Sequence, residues 1–398
     1  MQRYYLCTLK QKTHMERFKR VVKQAAPRAF KTIWWIFKIT TIVSFIMFLL
    51  KYTGILTWIA AAVSPVFHIF GLPGDAALAY VSAYFINIYS GIAVISTLDL
   101  TVRQITILGT MNLAAHAMVA ETAIQKKTGT PTMGGIIFLL PFFIIGVCYA
   151  AFHKEVIPVL ILTFGFGVIG FIDDYIKVVK KHNLGLRAWQ KFLGQLLVAI
   201  IFSLYVENCT DMTLVMRIPF IGSEIDFGIF NIPLLCFISL GTANGTNFTD
   251  GVDGLCASVT AVVAGFFVLA AMRYGSTGAE VMAAAMMGGL LGYLVYNVYP
   301  GKVMMGDTGS LAIGGFVAGI SYVMNMPLFI VIVGFIYLIE VVSVIMQVTY
   351  FKLTNGKRIF RMAPIHHHFE KGGWSETKVV NVFTTVTIIM CLIAYAGL

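Results

Sequence analysis

Acidic residues are few in this chain, and several sit beside glycine, asparagine or lysine in short polar segments between long apolar runs. In GFGVIGFIDDYIKVVKK, residues 165–181, Asp173 and Asp174 stand at the end of such a run. An ionised carboxylate there is costly unless a cation faces it, and a doubled one more so. If the segment continues as helix, Asp173, Lys177 and Lys181 recur at i, i+4 and i+8 on one face, a stripe of metal ligand and phosphate partners. The competing role is a helix end with ordinary salt bridges. In GTANGTNFTDGVDGL, residues 241–255, Asn244, Asn247, Asp250 and Asp253 are spaced by three, which on a helix keeps them to one slowly drifting face. Carboxylates and carboxamides together suit a hard cation or a polar ligand; a glycine-rich loop whose Asn and Asp only cap helices is the plainer alternative. MGDTGS, residues 305–310, sets Asp307 between glycines that let a ligand approach the backbone closely. Capping of the following helix is its competing role.

Two further segments are basic. FRMAPIHHHFEKGGW, residues 360–374, carries His366, His367 and His368 among Arg358, Arg361 and Lys371. Adjacent histidines do not easily converge on one zinc, which takes spaced ligands; hydrogen bonding to phosphate or sugar fits them better, and a merely basic loop is the alternative. KKTGTPTMGG, residues 126–135, sets Lys126 and Lys127 before a Gly/Thr/Pro stretch. It lacks the GxxxxGK[ST] pattern of a phosphate-binding Walker loop, and topogenic charge followed by a turn competes with a binding role. Together the segments supply carboxylates for a divalent metal and cations for phosphate, the inventory of phosphoryl transfer.

The elements that must position these groups are membrane helices. Hydrophobic residues make up 58% of the 398 residues and charged residues 12%, against about 25% charged in an ordinary soluble domain. Many apolar runs approach the ~20 residues that cross a bilayer as helix, and the short alternating segments of a membrane barrel are absent. The fold class expected is an all-α, polytopic integral membrane helix bundle of about thirteen spans, near residues 33–50, 54–70, 76–98, 104–123, 133–152, 156–174, 189–206, 228–244, 254–272, 278–298, 309–324, 327–349 and 377–396. Residues 1–31 form a basic tail. With that tail placed inside, only Lys51, Arg103, Lys154, Arg217 and Arg273 fall at the outer side, as the positive-inside rule asks. The same alternation puts the polar motifs on the inner face, four of them in the long segments 171–191, 244–254, 299–309 and 350–376, and predicts a cytoplasmic active-site cleft. The net charge of +11 therefore reads as topology, and no nucleic-acid partner is expected. The six cysteines show no metal-ligand spacing and read as small hydrophobes.

Taken in order, GTPTMGG, GFIDDYIKV, NFTDGVDGL, MGDTGSLA and APIHHHFE give residues 126–398 a clear resemblance to the phospho-N-acetylmuramoyl-pentapeptide-transferase family. The resemblance implies transfer of phospho-N-acetylmuramoyl-pentapeptide from its UDP-linked donor to undecaprenyl phosphate, giving lipid I and UMP with Mg2+, in the bacterial inner membrane and with a homodimer as the assembly. It makes Asp307 the magnesium ligand, and places Asp173, Asp174 and His366, His367 and His368 in the catalytic set. Lys127, Thr132, Asn247, Asp250, Gly251, Asp253 and Met304 fall on the nucleotide and substrate side, Lys177 and Lys181 on the phosphate side. A base role for Asp173 is secondary to aligning two anions, because a phosphate monoester has a second pKa of about 6 and is largely ionised already. Met304 departs from the family, which carries a uracil-stacking Phe there. The family's first helix is also replaced, by residues 32–125, whose segment 71–129 resembles nucleoside-recognition gate domains of bacterial membrane proteins. His116 and Glu121 are its intramembrane polar residues. The expected organisation is thus a tail (1–31), a four-span gate-like region (32–125) and a transferase domain (126–398). A related transferase using another UDP-sugar, and a catalytically inactive fusion that binds or transports nucleosides, are the rival functions.

Overall fold

Long apolar stretches leave the backbone no partner but itself, and in the computed structural model most of the described residues are helix. The structure describes residues 52–53, 55–85, 88–115, 134–178, 185–210 and 212–398. The front of the chain gives α1 (Ile55–Ile69), α2 (Ala76–Phe85), α3 (Ile88–Ile95) and α4 (Val102–Ala115). There follow α5 (Gly134–Ala150), α6 (Val156–Val178), α7 (Ala188–Cys209), α8 (Asn231–Thr249), α9 (Leu255–Tyr274), α10 (Thr277–Asn297), α11 (Gly306–Val323), α12 (Ile330–Val333), α13 (Phe335–Leu353), α14 (Ile365–Glu370) and α15 (Glu376–Ala396). Among the described residues the only sheet is a two-stranded ribbon of β1 (Met216–Arg217) and β2 (Glu224–Ile225). The all-α membrane class is therefore correct.

Seven described helical segments are long and apolar enough to cross a membrane, and α5 is a shorter apolar helix. Two expected spans are interrupted. Residues 76–98 divide into α2 and α3, and residues 327–349 break at Gly334, whose φ of −94° and ψ of 22° part α12 from α13. The tail 1–31, the span 33–50, His116, Glu121, Lys127, Thr132 and Lys181 lie outside the described residues.

Residues 57–398 form one unit. At its centre are α9 and α10, buried over 78% and 83% of their apolar windows, whereas α7, α13 and α15 are buried over 28%, 22% and 28% and turn most of their surface outward. Helix α11 lies between α6 and α8 through small residues, the usual device for close helix approach in lipid. A Cβ on Gly315 would come within 2.4 Å of Leu162 O, and one on Gly314 within 2.4 Å of Ala243 Cα. The two ends of the bundle differ. At one, the Arg217 amide donates to Asn325 O, the Phe220 amide to Gly397 O, and the Tyr274 hydroxyl to Leu398 O. At the other, the polar motifs converge. Of the cysteines described, Cys256 and Cys391 are buried and all are free thiols.

Gly315→Ala forces backbone against backbone and should lose about 1–3 kcal/mol, read as a lowered thermal midpoint in detergent. Gly241→Ala, where a Cβ meets nothing within 4 Å, should hold or raise the midpoint.

Candidate active site

Two carboxylates on consecutive residues of α6 point to different tasks. Asp174 is buried and caps another helix. Its Oδ1 accepts the Asp307 amide at 3.2 Å, and its Oδ2 accepts the Thr308 amide at 2.9 Å and the Thr308 hydroxyl at 2.7 Å. These amides are unpaired donors at the start of α11, where a negative charge is also favoured by the helix dipole. Asp307 therefore does not cap α11; Asp174 does, from a different helix. Two glycines permit this. Gly306 has φ +65°, and a Cβ there would lie 2.7 Å from Asp174 Oδ2. A Cβ on Gly170 would lie 2.1 Å from Asp307 O.

Asp173, also buried, accepts the Leu186 amide on Oδ1 at 2.6 Å and meets Lys177 Nζ at 2.5 Å. Lys177 Nζ is also 2.7 Å from Asp307 Oδ2, so one ammonium bridges both acids. A second cation, Lys191, stands 3.3 Å from Asp307 Oδ2 and donates to Asn247 Oδ1 at 3.2 Å. The Asn247 amide nitrogen donates to Asp307 Oδ1 at 2.7 Å and to Ser310 Oγ at 2.9 Å. One oxygen from each of Asp173, Asp174 and Asp307 falls within 4.8 Å of the others. Clustered hard oxygens of this kind fit a divalent metal such as Mg2+ or Ca2+, and the two neighbouring ammonium groups fit phosphate.

The second motif does not stay on one helix face. Helix α8 ends at Thr249, with Asp250 as its C-cap. Asn244 turns to Gln195 Oε1 at 2.8 Å and to Leu240 O. Asp253 accepts the Gly301 amide at 2.7 Å, which pins the 298–303 loop. Asn297 continues that clamp, accepting the Gly254 amide at 3.0 Å and donating to Val303 O at 2.8 Å, where the Tyr293 hydroxyl also donates at 3.0 Å. Burial, then the charges of Asp307, Asp174 and Asp253, hold the Asp250 carboxyl well above its ordinary range. Met304 is 46% exposed, and its carbonyl accepts the Gly134 amide at 3.1 Å while Met305 O accepts the Gly135 amide at 3.2 Å.

The histidines are divided among protein partners. His366 is wholly buried, with Nδ1 3.1 Å from Oε1 of the equally buried Glu340. Gly251 lies against its ring, where a Cβ would fall 2.2 Å from Nε2. His367 Nδ1 is 2.5 Å from Glu370 Oε2, and His368 Nδ1 accepts the Arg361 amide at 3.1 Å.

Sequence reasoning missed Lys191 and Glu340, and each left a signal. Lys191 lies in the first turn of α7, where the helix dipole disfavours a cation, so a carboxylate partner was to be expected. Glu340 is a lone carboxylate inside an apolar span, a place where ionisable residues seldom lack a role.

A helical membrane bundle that gathers carboxylates, lysines and an asparagine at one end belongs to the class of membrane-embedded sugar-phosphate transferases, and Glycosyl transferase family 4 matches residues 156–325. Curated relatives narrow the class. A phospho-N-acetylmuramoyl-pentapeptide-transferase of Acetivibrio thermocellus is 48% identical over 276 residues, covering 69% of this chain and 83% of the relative. That of Clostridium botulinum strain Alaska E43 is 48% identical over 277 residues, 69% and 84% of the two chains. That of Carboxydothermus hydrogenoformans is 47% identical over 280 residues, 69% and 86%. The chain belongs to the phospho-N-acetylmuramoyl-pentapeptide-transferase family.

The two aspartates should separate on substitution. Asp174→Ala removes the cap of α11 and should cost about 1–2 kcal/mol of stability, seen as a lower thermal midpoint together with lost activity. Asp307→Asn keeps the cap and should leave the midpoint near wild type, so a loss of activity in it marks a role other than holding α11.

Proposed function

We propose that this chain transfers phospho-N-acetylmuramoyl-pentapeptide from its UDP-linked donor to undecaprenyl phosphate, releasing UMP and lipid I for peptidoglycan synthesis. The enzyme is an integral membrane phospho-sugar transferase; we place it in the bacterial inner membrane, with the carboxylate end in the cytoplasm and a homodimer as its assembly. The observation that carries the reading is the convergence of Asp173, Asp174 and Asp307 with Lys177, Lys191 and Asn247.

In the reaction, an oxygen of the lipid phosphate attacks the phosphorus borne by the sugar. The bond from that phosphorus to the bridging oxygen breaks, and UMP leaves with the electron pair. Two anions must meet, so screening and alignment are the main tasks. The family uses a divalent metal; Mg2+ is the ion proposed, held by Asp307 with Asp173 beside it, and it supplies charge neutralisation at the diphosphate. Lys177 and Lys191 bind phosphate oxygens. Lys181 and Lys127 add to that field, and Thr132, Asn247, Asp250, Gly251, Asp253 and Met304 form the nucleotide and sugar side. Asp174 acts by fixing Asp307. Because His366 is buried against Glu340, its proposed part is to set the position of the 250–254 turn, leaving His367 and His368 nearer substrate. A donor with another sugar, and a nucleoside carrier, are the less favoured readings.

Purified full-length protein in detergent, given undecaprenyl phosphate, UDP-N-acetylmuramoyl-pentapeptide and Mg2+, should release UMP, and Asp307→Asn should not. Folded wild-type protein that releases none, under conditions where the Acetivibrio relative does, would overturn the proposal.

A further inference from the structure

Helices α2–α4 precede residues 156–325, which Glycosyl transferase family 4 matches, and are packed into the same unit as the carboxylate cluster. Helix α4 lies against α10 and α5, and α2 against α4. The contacts are specific. Arg103 on α4 grips Glu280 on α10 with both carboxylate oxygens, Nε to Oε1 at 2.9 Å and Nη2 to Oε2 at 2.6 Å. The Glu280 side chain is 3% exposed and the Arg103 side chain 46%. A fork-to-fork pair of this kind is directional as well as strong, and a buried carboxylate stripped of its partner is costly. Midway along α10, the Tyr80 hydroxyl of α2 donates to Gly288 O at 2.8 Å, and a Cβ on Gly288 would fall 2.9 Å from Met111 Cα of α4.

Helices α5 and α10, both in contact with α4, hold the loop leading to Asp307. Helix α5 begins with the Gly134 and Gly135 amides bonded to Met304 O and Met305 O. Helix α10 ends with Tyr293 and Asn297 bonded to Val303 O, beside the Asp253–Gly301 clamp. Glu280 and Asn297 lie near opposite ends of α10, roughly 25 Å apart at the rise of an α-helix.

We propose that helices α2 and α4 are a brace for the active site: docked by the Arg103–Glu280 pair and the Tyr80–Gly288 contact, they hold α10 and α5 in the register that fixes the 298–306 loop leading into Asp307. The importance of that loop for catalysis rests on the transferase reading; the mechanical coupling does not.

The test is amide hydrogen exchange by mass spectrometry on the full chain in detergent, comparing wild type with Arg103→Glu, Glu280→Arg and the double exchange. Arg103→Gln and Tyr80→Phe serve as milder variants should a charge reversal fail to fold. Each single variant should speed exchange of the peptide covering 298–308 by about tenfold, and the double exchange should restore protection. Single variants that loosen 76–115 but leave 298–308 as protected as in wild type would overturn the brace. So would a double exchange no better than the singles. The readout needs no turnover, so absent UMP release in wild type would count against the transferase reading alone.

Discussion

Everything at the catalytic end hangs on one carboxylate meeting one helix terminus. Asp174 takes the first amides of α11 and the Thr308 hydroxyl on its two oxygens, and so joins α6 to α11 at the point where Asp307 must stand. The seam beneath is made of glycines, and with side chains there the two backbones would lie too far apart for the cap to form. Once α11 is fixed, Thr246 Oγ1 reaches Ser310 O at 2.8 Å, and Asn247 follows onto Asp307. The order of dependence runs from packing to cap, from cap to Asp307, and from Asp307 to the lysines that surround it.

Much of this was legible in the sequence. Long apolar runs dictate helices because lipid gives the backbone no other partner, and expected and observed helices agree closely over 134–178 and 188–209. The pairing of Asp173 with Lys177 followed from a spacing of four on one helix. What a periodicity argument could not supply was contact between helices distant in sequence: that Asp174 would cap α11, that Lys191 would reach Asp307, or that His366 would meet Glu340. The run from Asn244 to Asp253 misled for a local reason. Gly251 and Gly254 follow the end of α8, and Gly254 adopts φ +80°, so the acids leave the helix and Asp253 goes to the loop at Gly301 instead. The surroundings of the histidines were not legible either: in a short helix against α13, the Nδ1 atoms of His366, His367 and His368 face Glu340, Glu370 and the Arg361 amide.

The front of the chain shows how helices dock in a membrane bundle. Lipid offers no hydrophobic gain for helix association, so a docked helix is held by small-residue contact and a few polar anchors. Gly288, Tyr80 and the Arg103–Glu280 pair are such anchors, and nothing in them depends on catalytic chemistry.

The ammonium of Lys177, set between Asp173 and Asp307, has a consequence for how the site fills. A divalent ion entering there competes for oxygens that a tethered cation already contacts, so its apparent affinity is an exchange constant: the gain in metal–oxygen attraction less the loss of two ion pairs. A lysine displaced in this way would stay close by on its own helix, its charge free for a phosphate oxygen. Loading of an ion and readiness to grip an anion would then be one event at Lys177.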